Sequence, residues 1–124
     1  MSKYSFYINK YQEDLLKDLD TLVRIPSVSD ETNPVDKKPF GQGVAHAFEA
    51  YEDIAKRLGF EVEQDDGYAI SANYLDGEDY VGVLGHLDII DAHNKEDWEY
   101  DPYKLTVKDG ILYGRGVNDD KGPL

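Results

Sequence analysis

The sequence contains no cysteine. Disulfides, thiolate zinc sites and a cysteine nucleophile are therefore excluded, and any metal must be held by histidine, aspartate, glutamate and water. Basic residues are scarce: Lys plus Arg number 13 against 26 Asp plus Glu, a formal charge of −13. Nucleic acids and anionic membrane surfaces are gripped by clustered lysine and arginine, so neither is expected as a partner. A solvated acidic surface accounts for the charge by itself, although a protein that gathers cations would carry it too. Long hydrophobic runs are also absent, and nothing approaches membrane-spanning length. The opening MSKYSFYINKYQED is interrupted by Lys3 and Lys10 and lacks the apolar core of a signal peptide, which leaves the cytoplasm as the expected location.

What is present suits one domain of 124 residues. Tyr11, Leu15, Leu16, Leu19, Leu22 and Val23 recur at helical spacing, and the helix they predict must stop before Pro26. Residues 27–39, SVSDETNPVDKKP, read as an irregular loop. Val44, Ala47, Phe48, Tyr51, Ala55 and Leu58 predict a second helix, with Gly59 as its stop. The period then changes. Phe60 and Val62 alternate with Glu61 and Glu63, Tyr68–Leu75 suggests a second strand, and Tyr80–Leu84 reads as a third and most buried one. Lys104–Val107 and Ile111–Tyr113, joined at Lys108-Asp109-Gly110, predict a hairpin. Helix, helix, then strands is an α/β layer beginning to assemble. The ending Lys121-Gly122-Pro123-Leu124 looks like the approach to a helix, so the expectation is a piece of a longer chain.

Two short stretches could carry chemistry. In "YVGVLGHLDIID" an apolar run ends on His86-x-Asp88. Side chains at i and i+2 of an extended segment share a face, and a carboxylate beside an imidazole can fix its tautomer for a metal. Taken alone, this pattern is more often a hydrogen-bonded histidine at a strand end, with Asp88 capping the next turn. The second stretch is "GRGVNDDKG", Gly114–Gly122. Adjacent aspartates repel, and keeping both ionised in a crevice needs a cation or a good hydrogen-bond network. A polar surface turn explains the same residues equally well. No phosphate-binding G-x-x-x-x-G-K-[ST] loop is present.

Together, "VLGHLDII" and "DWEYDPYKLTVKDGILYGRGVNDDKGP" resemble the N-terminal part of the M20 family of zinc metallopeptidases, and "RIPSVS" at Arg24–Ser29 is similar to the family's opening segment. The D-D-K-G-P ending is closest to the dipeptidase branch of PepV- and carnosinase-type enzymes; deacylase and desuccinylase relatives rank second. The resemblance implies an α/β fold, the N-terminal portion of a zinc-exopeptidase-like catalytic domain with a mixed sheet flanked by helices. It implies that residues 1–124 are the first part of that domain, with its remainder and a lid or dimerisation domain lying elsewhere. It implies two zinc ions, with His86 ligating one, Asp119 bridging both, and Asp88 as the catalytic-site aspartate that orients the imidazole. Asp120 is assigned to backbone geometry, through a cis Asp119–Asp120 peptide. Asn118 stands where small residues are common, a mild departure. The implied activity is hydrolysis of a dipeptide amide by metal-activated water, with a small peptide as partner and any oligomerisation left to the missing domain. The general-base glutamate and the remaining ligands are not in this sequence, so the 124-residue chain is expected to be inactive. The competing class is non-enzymatic: an inert or weakly metal-binding module.

Four further residues have plainer readings. His46 on the second helix is expected to pack or face solvent. His93 sits in a polar loop and is expected to be solvated. Trp98 reads as a half-buried loop anchor. Arg115 is expected to steady its loop by pairing with a carboxylate.

Overall fold

The computed structural model describes residues 2–124. Helix α1 spans Lys3–Val23 and starts on Ser2, whose hydroxyl accepts the Ser5 N–H and so satisfies one of the first-turn donors. Its last turns supply buried Leu19, Leu22 and Val23, while Tyr4, Phe6, Ile8 and Leu15 are exposed. Helix α2 spans Gly41–Arg57 and buries Val44, Ala47, Phe48 and Ala55 on one face. It stops as the sequence predicts. Gly59 takes φ +91°, the Gly59 N–H bonds the Lys56 carbonyl, and the Phe60 N–H reaches back to Ala55. That doubly bonded cap needs a left-handed residue, which glycine adopts without a side-chain clash.

Strands β1 (Glu61–Asp65) and β2 (Ala69–Asn73) pair antiparallel, with Val62 opposite Ala72. A 3-10 turn at Lys95–Asp97 leads to a second hairpin, β3 (Thr106–Lys108) and β4 (Ile111–Tyr113). Its two-residue loop is Asp109-Gly110, both at positive φ, the backbone that matches strand twist in tight hairpins. The α/β class stands, with the sheet present as two antiparallel pairs and one parallel bridge between Val28 and Ile89. The core joins Leu22 of α1 to Val44, Ala47 and Phe48 of α2 and to Leu87. Ile70 of β2 packs on its edge.

One expectation fails. Tyr80–Leu84 is not a buried strand: it has no ladder partner among the described residues, and Val81 and Leu84 are 93% and 99% exposed. Its apolar pattern calls for neighbours on both edges and faces, and no described segment lies alongside to supply them.

Candidate metal centre

Immediately after that exposed run, the chain enters the core. Leu87 and Ile89 are 4% and 5% exposed, and the residues between and before them, Asp88 and His86, face outward. This is the period of an extended segment, and it puts the imidazole and the carboxylate on one side. Nδ1 of His86 lies 3.0 Å from Asp88 Oδ1 and 3.1 Å from the Asp88 carbonyl. Nε2 points the other way, 2.9 Å from Asp119 Oδ1, across 33 residues of sequence. The two stretches singled out by sequence therefore meet on one face.

The loop that delivers Asp119 leaves β4 through Gly114 and turns at Gly116. The Asp119–Asp120 peptide is cis, as the resemblance implies. Asp120 does more than shape the backbone: its Oδ2 accepts the His86 N–H at 3.1 Å. Gly85 makes this approach possible, since a Cβ there would stand 2.7 Å from Asp120 Oδ2. Both aspartates thus converge on His86, one on the ring and one on the backbone. Burial by itself would lower the His86 pKa. The hydrogen bond to Asp119, the Asp88 carbonyl and the two nearby negative charges outweigh it and raise the pKa above the ordinary histidine value.

Two residues with no role assigned from sequence prove to be structural parts of the site. Lys121 is 2% exposed and its ammonium donates to the carbonyls of Leu22 and Ile25, both at 2.7 Å. Desolvation lowers its pKa to about 8. Ser27 is fully buried and donates to the Leu87 carbonyl at 2.6 Å. The signal available in sequence was their setting, a lysine inside "DDKG" and a serine after a helix-ending proline. Arg115 departs from expectation. Among the described residues it pairs with no carboxylate; its guanidinium lies over Trp98, 4.8 Å from the ring centroid, and reaches the Asp91 carbonyl at 3.5 Å. The flat indole offers the planar cation a face. Trp98 is the loop anchor expected, donating from Nε1 to the Ala92 carbonyl at 3.1 Å. His46 and His93 are exposed and lie outside the site.

The donor chemistry suits zinc in part. A neutral imidazole whose Nδ1–H is held by Asp88 presents the Nε2 lone pair, and Asp119 presents a carboxylate beside it. Among the described residues no group of three or more such side chains converges. A shallow cleft of about 240 Å³ opens beside Asp119, lined by Ile90, Gly114, Arg115, Gly116 and Asn118. No helix among the described residues is long and apolar enough to cross a membrane.

Comparison with known proteins gives a consistent picture. Residues 82–124, which include His86, Asp88 and Asp119, match the model of "Peptidase family M20/M25/M40". The Beta-Ala-Xaa dipeptidase of Lactobacillus delbrueckii subsp. lactis is 38% identical over 113 residues, covering 90% of this chain and 24% of that protein. YtjP of Bacillus subtilis is 37% identical over 112 residues, again 90% of this chain and 24% of the relative. The crystal structure of human carnosine dipeptidase 1 superimposes with a TM-score of 0.66 at 31% identity, over 94% of this chain and 27% of that one. The chain thus spans about a quarter of the length of the relatives it matches. Shared sequence over nine-tenths of the chain, a shared fold and the family match over residues 82–124 agree, and they make this chain similar to the M20 peptidases, dipeptidases among them.

Proposed function

We propose that this chain supplies the first two ligands of a two-zinc centre in a dipeptidase. The observation that carries the reading is the polarity of His86: Nδ1 is held by Asp88 at 3.0 Å while Nε2 faces Asp119 at 2.9 Å. A histidine used only for packing has no need of a carboxylate at each nitrogen, whereas a ligand needs one nitrogen tethered and the other free for metal. His86 Nε2 and Asp119 would hold the metal, and Asp88 would keep the imidazole in the ligating tautomer. Zinc bound there supplies Lewis acidity to the scissile carbonyl and activates water for attack. The cleft beside Asp119 would admit one end of a small peptide. A dipeptide, including one with an N-terminal β-alanine such as the Lactobacillus relative is named for, is the proposed substrate class.

The chain alone is proposed to hydrolyse no dipeptide. A catalytic zinc takes about three protein ligands and an open position, and two residues cannot serve two ions. A chimera tests the proposal. Residues 1–124 would replace the aligned segment of the Lactobacillus dipeptidase, beside a His86→Ala version and the isolated chain. Zinc-dependent cleavage of β-Ala-Xaa dipeptides by the chimera, absent from the other two, is expected. A folded, zinc-loaded chimera that cleaves N-acyl amino acids but no dipeptide would overturn the substrate reading in favour of a deacylase. Undiminished cleavage in the His86→Ala chimera would overturn the ligand assignment.

A further inference from the structure

Both segments that carry the candidate ligands are fastened to one short stretch, Leu22–Ser27, where α1 ends. On one side, the Ser27 hydroxyl donates to the Leu87 carbonyl at 2.6 Å and the Ser27 carbonyl accepts the Ile89 N–H at 3.0 Å. These two bonds bracket Asp88 and hold the segment that begins at His86. On the other side, Lys121 reaches the same stretch from the Asp119–Asp120 loop and bonds the Leu22 and Ile25 carbonyls. Each of these carbonyls also accepts one backbone N–H, Leu22 from Ile25 and Ile25 from Ser27, and the second lone pair of a carbonyl at the negative end of a helix suits an ammonium. A buried lysine is seldom found without a carboxylate partner, and among the described residues Lys121 makes no ion pair within 4.0 Å.

From this we infer that Ser27 and Lys121 are positioning residues: they register the His86-bearing and Asp119-bearing segments on a common mount, the exit of α1, and thereby set the His86–Asp119 separation from behind. The inference rests on the metal reading of those two ligands and adds the device that aligns them. Neither mounting residue touches the metal position, and the site's outer face stays open. Outer partners that fix a ligand's orientation change metal affinity by about 10–100-fold when removed.

The test uses the 124-residue chain in two states. Without metal, amide exchange of His86 reads the loop directly, because its N–H is held only by Asp120 Oδ2. With zinc chloride as the sole added ligand, calorimetry reads affinity. Lys121→Met and Ser27→Ala are compared with Ile54→Ala, which removes α2 packing beside Leu22 but none of the hydrogen bonds of the mount. The expected result is loss of His86 amide protection in Lys121→Met and, to a smaller degree, in Ser27→Ala, with α2 amides still protected. Zinc affinity should fall about 10–100-fold in the same order. Ile54→Ala should lower the melting temperature without changing either readout. Should Lys121→Met fail to fold, Ser27→Ala carries the test with Lys121→Arg, which keeps a buried cation and should restore much of the protection. Unchanged His86 protection in folded mount variants, or an equal loss in Ile54→Ala, overturns the inference. Zinc binding that is no weaker in His86→Ala than in the unaltered chain, while His86 protection still responds to the mount variants, sinks the metal reading and upholds the mount.

Discussion

His86 concentrates the electrostatics of the site, and its titration is the most direct handle on it. Asp119 and Asp88 raise its pKa above the ordinary histidine value. In the metal-free chain the imidazolium form is therefore favoured by folding: that contribution is fully present below the unfolded pKa of about 6.5 and is lost as pH rises through the raised folded value. Zinc requires the neutral ring, so metal affinity runs the opposite way and should weaken as pH falls through the same value. Calorimetric zinc titrations at several pH values check the second statement. Following the His86 ring protons by NMR checks the first, with Asp119→Asn expected to move the pKa downward. A His86 midpoint unaffected by that substitution would mean that the 2.9 Å contact is not populated in solution.

Among the elements, α1 is held to the rest of the chain at its C-terminal end. Asp20 is a second tie there: its Oδ1 accepts the Leu105 N–H at 2.9 Å and its Oδ2 accepts from Arg24 at 2.7 Å. Burial raises the Asp20 pKa, but these donors and the nearby cations outweigh it and leave the pKa below 3.8. The resulting stability is present above the unfolded pKa and lost as pH falls through the lower folded one. Asp20→Asn should cost about 1 kcal/mol at neutral pH and flatten the acid limb of a stability–pH curve measured by urea denaturation. Helix α2 offers a purely conformational comparison. A Cβ at Gly59 would meet nothing within 4 Å, so Gly59→Ala tests only the left-handed backbone. It should destabilise by about 1 kcal/mol, read as a shift of the urea midpoint with unchanged slope.

At the scale of the whole molecule, the unusual feature is apolar surface. Tyr80, Val81, Val83 and Leu84, within one five-residue run, are all at least 80% exposed. An unpaired apolar segment is a template for pairing with another chain, and the charge of −13 opposes that association only while salt is low. The chain should therefore self-associate with rising concentration, more strongly at high ionic strength. Val81→Lys together with Leu84→Lys should suppress this without altering zinc affinity. Sedimentation velocity across concentration and salt provides the measurement. A strictly monomeric wild-type chain at high salt would show that this surface is quiet.

Helix limits and hairpin turns were legible in the sequence because their causes are local. The period of Leu19, Leu22 and Val23, the stop at Gly59 and the Asp109-Gly110 turn each depend on a few neighbouring residues, and each appears where those residues require it. His86, Asp88 and Asp119 were singled out through their motifs, and the shared face of His86 and Asp88 followed from the alternation of an extended segment, whereas the approach of Asp119 across 33 residues is tertiary. Tertiary structure decided the rest. Tyr80–Leu84 has the composition of a buried strand, but burial depends on what lies beside a segment, and among the described residues nothing does. Arg115 lies over the face of Trp98, a contact that depends on where the fold brings the indole. Ser27 and Lys121 lie far from each other in sequence, and no local rule relates them. They act together only because both loops reach the end of α1, where the Leu22 and Ile25 carbonyls each accept a second hydrogen bond and one buried hydroxyl donates.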